Sequence, residues 1–175
     1  MERSILREVF SWIRTFIIAI VVAVVLNNTL IASAIVISGS MESTIMTDSR
    51  VLGLRVAYIL NEPARFDIIL FEPPYDATSM PVVKRIIGLP GEHVVITDGR
   101  VYINGSDVPL DEPFLRETAF GSFGPFDVPE NSYFVLGDNR NRSSDSRHWD
   151  NSFVQRESII GRLLFEFFPR PQLLR

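Results

Sequence analysis

The hydrophobic pattern divides the chain into one long apolar run and a body of short alternating segments. Residues 16–26 are apolar throughout, polar residues at 27–29 interrupt the run, and residues 30–37 resume it. No charged residue lies between Arg14 and Glu42. Because a membrane-spanning helix needs about 20 mostly apolar residues, the pattern predicts one transmembrane helix with its exit segment over residues 15–35.

The charges around this run predict an orientation. Three arginines lie within residues 1–14, and no Lys or Arg follows the run until Arg50. The positive-inside rule therefore places residues 1–14 in the cytoplasm and the rest of the chain outside, as a single-pass protein of the cytoplasmic membrane in contact with the lipid bilayer. Two other interpretations remain open, a buried helix of a soluble domain and a cleavable signal peptide ending at Ala-Ser-Ala, residues 32–34.

Beyond residue 36 the helical period disappears and short apolar segments alternate with turn residues. We expect strands at 51–54, 67–71, 81–89, 93–97, 100–103, 132–136 and 159–168. Asp98-Gly99 between two of these segments is a strong hairpin signal, whereas the Phe-rich segment 114–126 is expected to be a long loop or a weak hairpin. The pattern predicts a mainly β fold of short, mostly antiparallel strands over residues 36–175.

Composition excludes several classes of site. The chain has no cysteine and two histidines, so neither a thiolate nucleophile nor a Cys- or His-rich metal site is expected. The formal net charge is −4 and no basic cluster stands out, which disfavours nucleic acid as a partner. We expect the protein to need no metal and no cofactor.

Two residues are candidates for nucleophilic chemistry. Ser40 closes a Ser-Gly-Ser triplet just after the apolar run, and a serine nucleophile needs a base within hydrogen-bond reach; the triplet is also a common turn. Neither His93 nor His148 stands out as that base. Lys84, the only lysine of the chain, lies inside the apolar segment 81–89, where burial lowers a lysine's pKa and allows a neutral amine. An edge-strand lysine paired with an acid is the alternative.

Four ordered motifs resemble those of the bacterial type I signal peptidases, the membrane-bound Ser-Lys leader peptidases. SGSMEST at 38–44 is similar to the S-G-S-M-x-P-T motif, and RFDI at 65–68 to R-G-D-I/V. VKRIIGLPGE at 83–92 resembles K-R-I/V-x-G-x-P-G, and GDNRNRSSDSR at 137–147 resembles G-D-N-R-x-x-S-x-D-S-R. The resemblance covers nearly the whole chain and implies a signal-peptidase/LexA-like β-fold.

The resemblance also implies a function and its residues. The expected activity is removal of signal peptides from exported preproteins after Ala-x-Ala, with Ser40 as nucleophile, Lys84 as general base, and the Ser38 hydroxyl and Ser40 N–H as oxyanion hole. Ser143 would orient Lys84. The residues that would brace the polar loop are Asp138, Asp145 and Arg147. The residues that would line the pocket for small side chains are Val36, Met41, Ile45 and Val83.

The chain departs from the family pattern at several positions. Ile37 and Ser43 stand where prolines occur, and Phe66 and Asp150 stand where glycines occur; Ser43 and Phe66 raise the question of altered loop geometry. The distance from Lys84 to Gly137 is short for the family, which implies a small inserted subdomain around residues 98–133.

Three alternatives accompany this interpretation. A catalytically impaired or non-enzymatic membrane-anchored β module of the same fold would keep the motifs but not the reaction. A Ser-Lys self-cleaving repressor would lack the anchor. A second molecule could also cut this chain after Ala34, since residues 32–34 resemble the substrate motif.

Overall fold

The computed structural model describes residues 2–59, 61–75 and 80–174. One long helix, α1 (Glu2–Leu30), precedes eleven strands. The strands are β1 (Ile31–Ile35), β2 (Arg50–Leu54), β3 (Ile68–Phe71), β4 (Val82–Gly88), β5 (His93–Thr97), β6 (Arg100–Ile103), β7 (Phe123–Asp127), β8 (Ser132–Leu136), β9 (Val154–Gln155), β10 (Ile159–Phe168) and β11 (Gln172–Leu173). The mainly β prediction is confirmed.

Helix α1 has the length and composition of a membrane span. Its segment Glu8–Leu26 has a mean hydropathy of 2.5 and none of it is buried against the rest of the chain. The hydroxyls of Thr15 and Thr29 donate to the carbonyls of Ser11 and Val25 one turn earlier, which satisfies their donors within the helix. A helix this apolar with no protein partner for its described side chains excludes the buried-core interpretation.

The segment predicted as an exit from the membrane is a strand. β1 follows α1 without a linker and pairs antiparallel with β2, placing Ala32 opposite Gly53 and Ala34 opposite Val51. Ala32 is fully buried. Cleavage after Ala34 by a second molecule therefore requires β1 to leave β2, because a protease needs an extended, unpaired segment.

The main sheet carries the nucleophile region and the lysine. Its strand order is β1-β2-β10-β3-β4-β8-β9, with β11 paired to β10. Every pairing is antiparallel. Strand β4 is buried along nearly its whole length, since side chains of both its faces enter apolar clusters.

A second, smaller sheet has the order β6-β5-β7. Asp98 and Gly99 have φ angles of 50° and 76°, the left-handed conformation that a tight two-residue hairpin requires. The Phe-rich segment is more ordered than predicted, because Phe123–Asp127 forms β7 against β5. Its Phe114 packs edge-on against Phe66, and both rings pack against the apolar cluster that side chains of the two sheets form.

Candidate active site

Ser40, Lys84 and Ser143 are brought together by three separate segments. Ser40 lies in the short 3₁₀ turn Gly39–Met41, Lys84 in the middle of β4, and Ser143 directly after the 3₁₀ turn Arg140–Arg142. All three are buried. The Nζ of Lys84 donates to the Ser143 hydroxyl oxygen at 3.2 Å, and a carboxylate partner for Lys84 is not among the hydrogen bonds of the described residues. The alternative of a lysine paired with an acid is therefore wrong.

Ser40 and Ser38 face each other. Their hydroxyl oxygens are 3.2 Å apart. Ser40, Ser38 and Lys84 line one shared cavity of about 450 Å³. The hydrogen bonds of the described residues do not include one from Ser40 to Lys84, and such bonds commonly shorten only when substrate is present.

Burial changes the acidity of Lys84. Desolvation lowers its pKa to about 8, an effect that Arg147 reinforces and the carboxylates of Asp145 and Asp138 partly oppose. Lys84 is only 2% exposed. At mildly alkaline pH a substantial fraction of the amine is neutral and can accept a proton, whereas a surface lysine is still almost fully charged.

The ion pair between Arg85 and Asp138 supports β4 from its other face. The Nε and Nη2 of Arg85 donate to the two Asp138 oxygens at 2.8 and 2.7 Å, and neither side chain is more than 1% exposed. The Thr44 hydroxyl donates to Asp138 Oδ2 at 2.5 Å. A buried bidentate pair has a narrow range of geometries, so it links the turn after Ser40 to β4 rigidly.

Asp145 organises the loop that carries Ser143. It accepts from Arg147 Nε at 2.8 Å and Nη2 at 2.9 Å, and from the Gly137 N–H at 3.0 Å. Burial by itself raises the pKa of Asp145, but hydrogen bonds from Arg147, Ser143 and Gly137 lower it overall, so the carboxylate is ionised. Asp138, Asp145 and Arg147 thus all lie in the support that the sequence predicted, with Arg85 as a further member.

The turn that carries Ser40 is also tied to this loop. The Asn139 N–H donates to the Ser40 carbonyl at 3.0 Å, and the Asn139 side chain donates to the Gly39 carbonyl at 2.9 Å. Gly137 contacts both groups closely, because a Cβ placed there would stand 2.3 Å from the Ser40 carbonyl oxygen and 2.3 Å from Ser143 Oγ.

The predicted pocket residues fall into two groups. Val36 and Val83 line the cavity, whereas Met41 and Ile45 are fully buried behind it. All four belong to one apolar cluster. Val36 and Val83 thus face the cavity, while Met41 and Ile45 lie in the core cluster to which both valines belong.

Ser43 and Phe66 both adopt left-handed backbone conformations, with φ angles of 83° and 72°. A proline at position 43 is incompatible with that angle, so the turn after Ser40 is built differently from the family motif. Position 66 keeps the backbone that glycine favours, although it carries a phenyl ring. The Phe66 carbonyl still accepts from Arg85 Nη1 at 2.8 Å.

Neither histidine lies beside Ser40 or Lys84, although Nδ1 of His148 is 3.8 Å from Asp145 Oδ1. His93 pairs with Asp127 at 2.6 Å in the smaller sheet, and both side chains are well exposed. His148 is half exposed and packs its ring against Phe123. Among the described residues no group of three His, Cys, Asp or Glu could hold a metal ion.

Sequence reasoning missed several supporting residues. Arg85 and Asn139 lie inside recognised motifs, but their partners come from segments far away in the chain. Gln172 donates to the Thr44 carbonyl at 3.0 Å and lies outside every motif. The sequence feature that could have pointed to this contact was Glu166, an acidic residue in the apolar segment 159–168.

The comparisons with known proteins identify the family of the chain. The family model described as "Signal peptidase, peptidase S26" matches residues 9–168. A probable signal peptidase I-2 of Synechocystis is 36% identical over 91% of this chain and 73% of its own length. Signal peptidase I of Bacillus licheniformis is 36% identical over 93% of this chain and 90% of its own.

A solved structure is also similar. The crystal structure of a signal peptidase I from Enterococcus faecalis aligns with a TM-score of 0.50 and 41% identity, covering 58% of this chain and 97% of that one. Fold and site together define a serine protease with a β catalytic domain. The chain belongs to the signal peptidase, peptidase S26 family, and it removes signal peptides. The non-enzymatic alternative is not favoured.

Proposed function

We propose that Ser40 and Lys84 form the catalytic dyad of a membrane-anchored signal peptidase that cleaves after Ala-x-Ala. The observation that carries this proposal is the burial of Lys84, which lowers the amine's pKa to about 8 beside a cavity shared with Ser40. Arginine could not take this role because its guanidinium stays protonated.

The substrate lies extended between two walls of the cavity, residues 35–40 on one side and residues 80–84 on the other. Strand β8 pairs with β4 only from Arg85 onward, so among the described strands none pairs with that side of Val82–Lys84. A peptide can add there as a further strand through backbone hydrogen bonds. Its small side chain points toward Val36 and Val83, and Met41 and Ile45 exclude larger ones by shape.

The reaction proceeds in two steps. The Ser40 hydroxyl attacks the scissile carbonyl carbon while its proton passes to neutral Lys84, and the resulting oxyanion accepts from the Ser38 hydroxyl and the Ser40 N–H. Losing one such donor typically costs about 10²–10³ in rate. Lys84 then protonates the leaving amine, water attacks the acyl ester with Lys84 again as base, and Ser40 is regenerated. Ser143 holds the amine in place.

The anchor supports a location for this reaction. Helix α1 spans the cytoplasmic membrane with its N-terminus in the cytoplasm, following the arginines at 3, 7 and 14. β1 begins at the residue after α1, so the outer end of the helix holds the sheet and Ser40 next to the bilayer. Ile35 and Ile37, 59% and 64% exposed, lie at this junction.

The test is cleavage of a preprotein by the full chain in lipid vesicles. Ser40→Ala and Lys84→Ala should each abolish cleavage, and Lys84→Arg should fail as well because its charge cannot be lost. Ser106→Ala, an exposed serine in the smaller sheet's turn, is the matched control and should cleave normally. Wild-type rates in Ser40→Ala or Lys84→Arg would refute the dyad.

A further inference from the structure

Glu166 is a fully buried acid without a cationic partner among the described ion pairs. It lies in β10 and has no exposed surface. Its two oxygens accept from Ser49 Oγ at 2.7 Å and from Gln172 Nε2 at 2.6 Å. Both described donors are neutral, and an acid buried without a cationic partner is costly. Its presence in an apolar strand calls for a role that an apolar side chain could not fill.

Gln172 links Glu166 to the turn that carries Ser40. It lies directly opposite Glu166 in the β10–β11 pairing, so the two side chains share a face of the sheet. The same Nε2 that donates to Glu166 also donates to the Thr44 carbonyl at 3.0 Å. Glu166 therefore fixes the orientation of the Gln172 amide, and the amide in turn holds the backbone at Thr44.

Thr44 ends the turn that carries Ser40. Its N–H donates to the Met41 carbonyl, and its hydroxyl donates to Asp138. The residue before it, Ser43, has a φ of 83°, a strained conformation that persists only when the surroundings hold it. The other end of the turn is held by Asn139 through the Ser40 carbonyl. The turn is thus fixed at both ends.

We propose that Gln172, oriented by Glu166, is a positioning residue for the reaction. It holds the Thr44 carbonyl, and thereby keeps the Ser40 N–H aimed at the oxyanion. This role presupposes the dyad of Ser40 and Lys84 proposed above. A proline at position 43 would restrict the turn covalently; in this chain the hydrogen bond from Gln172 performs that restriction.

The first test replaces Gln172, the hydrogen-bond donor to the Thr44 carbonyl. Gln172→Ala in the full chain should lower the acylation rate at saturating preprotein roughly 10–100-fold, since a small misplacement of reacting groups has effects of that size. KM should stay within about twofold, because the walls of the cavity are untouched. Gln155→Ala, which removes the only other glutamine and alters an exposed side chain of β9, is the control and should match wild type.

The second test separates positioning from stability. In the double variant Glu166→Gln with Gln172→Glu, the amide at 166 donates to the carboxylate at 172 and the buried pair is retained. The ionised carboxylate introduced at position 172 has no donor for the Thr44 carbonyl. At alkaline pH this swap should recover most of the Tm lost in Gln172→Ala and should keep its low acylation rate. Ser49→Ala should do the reverse, lowering the Tm with little loss of rate.

Recovery of the wild-type rate by the swap would overturn the proposal, and so would a wild-type rate in Gln172→Ala. If Gln172→Ala does not fold, the swap and Ser49→Ala still decide between the two roles. Ser40→Ala serves as the reference in every assay. Cleavage by Ser40→Ala would refute the dyad itself, whereas an inactive Ser40→Ala beside a fully active Gln172→Ala would refute only the positioning role.

Discussion

Gly137 lies so close to Ser143 that a methyl group on it would stand 2.3 Å from the serine hydroxyl oxygen. The same methyl group would stand 2.3 Å from the Ser40 carbonyl oxygen, so it would meet the nucleophile turn and the residue that holds Lys84 at once. The site leaves no space at this position.

Gly137→Ala should therefore lower the cleavage rate far more than its loss of folding stability would explain. Overpacking costs about 1–3 kcal/mol, while a displacement of about 1 Å in the reacting groups costs about 10² in rate. Cleavage rate and Tm of the same preparation measure the two effects. Gly105→Asn is the control: its glycine also has a positive φ, but nothing lies within 4 Å of the added Cβ, and asparagine tolerates that conformation. Normal cleavage by Gly137→Ala would contradict the packing argument.

The pH dependence of cleavage should follow the titration of Lys84. Its pKa is lowered to about 8 by burial, and only the neutral amine accepts the Ser40 proton. We expect kcat/KM to rise about tenfold per pH unit below about pH 8 and to level off above it. A pH profile on an uncharged junction peptide measures this. A flat profile between about pH 6 and 9 would exclude Lys84 as the titrating base.

Replacing Lys84 by an apolar side chain should stabilise the fold while abolishing activity. The pKa of Lys84 falls from 10.5 in the unfolded chain to about 8 in the folded one, so between these values the unfolded chain binds a proton that the folded chain does not. The contribution of Lys84 to the free energy of unfolding therefore rises with pH across that window. Below about pH 8 the buried charge lowers that free energy by about 3 kcal/mol.

Lys84→Met should accordingly raise the Tm at pH 7, and the difference from wild type should shrink as pH approaches about 10.5. Thermal unfolding of both proteins at several pH values measures it. Lys84→Arg is the control, since it keeps the buried charge and should not gain stability. A Tm for Lys84→Met below that of wild type at pH 7 would contradict the desolvation argument.

At position 66 a glycine should destabilise the fold less than an alanine, which is the reverse of the usual order. Its φ of 72° costs an L-residue about 1–2 kcal/mol, whereas its ring gains contact with Phe114 at 5.4 Å. Phe66→Ala loses the ring and keeps the strain, and Phe66→Gly loses both. The glycine variant should therefore be more stable than the alanine variant by about 1 kcal/mol. Equal or reversed stabilities in thermal unfolding would show that Phe66 carries no strain.

Much of this molecule is encoded locally. The apolar run predicted α1, and alternation with turn residues predicted β5, β6, β8 and β10 with their observed bounds, because side-chain period and turn chemistry act over a few neighbouring residues. β1 was missed because its apolar residues continue the helix pattern without a break. β7 was missed because Gly124 and Pro125 interrupt the strand signal.

The sequence alone also singled out Ser40 and Lys84, because a lone lysine in an apolar segment and a serine beside a span are local features. Only the tertiary structure decided that Lys84 is buried against Ser143 rather than paired with an acid, since its environment comes from residues 59 positions away. It likewise decided that Gln172 reaches Thr44 across 128 positions. Long-range contacts of this kind follow from how strands order in the sheet, which no local pattern specifies.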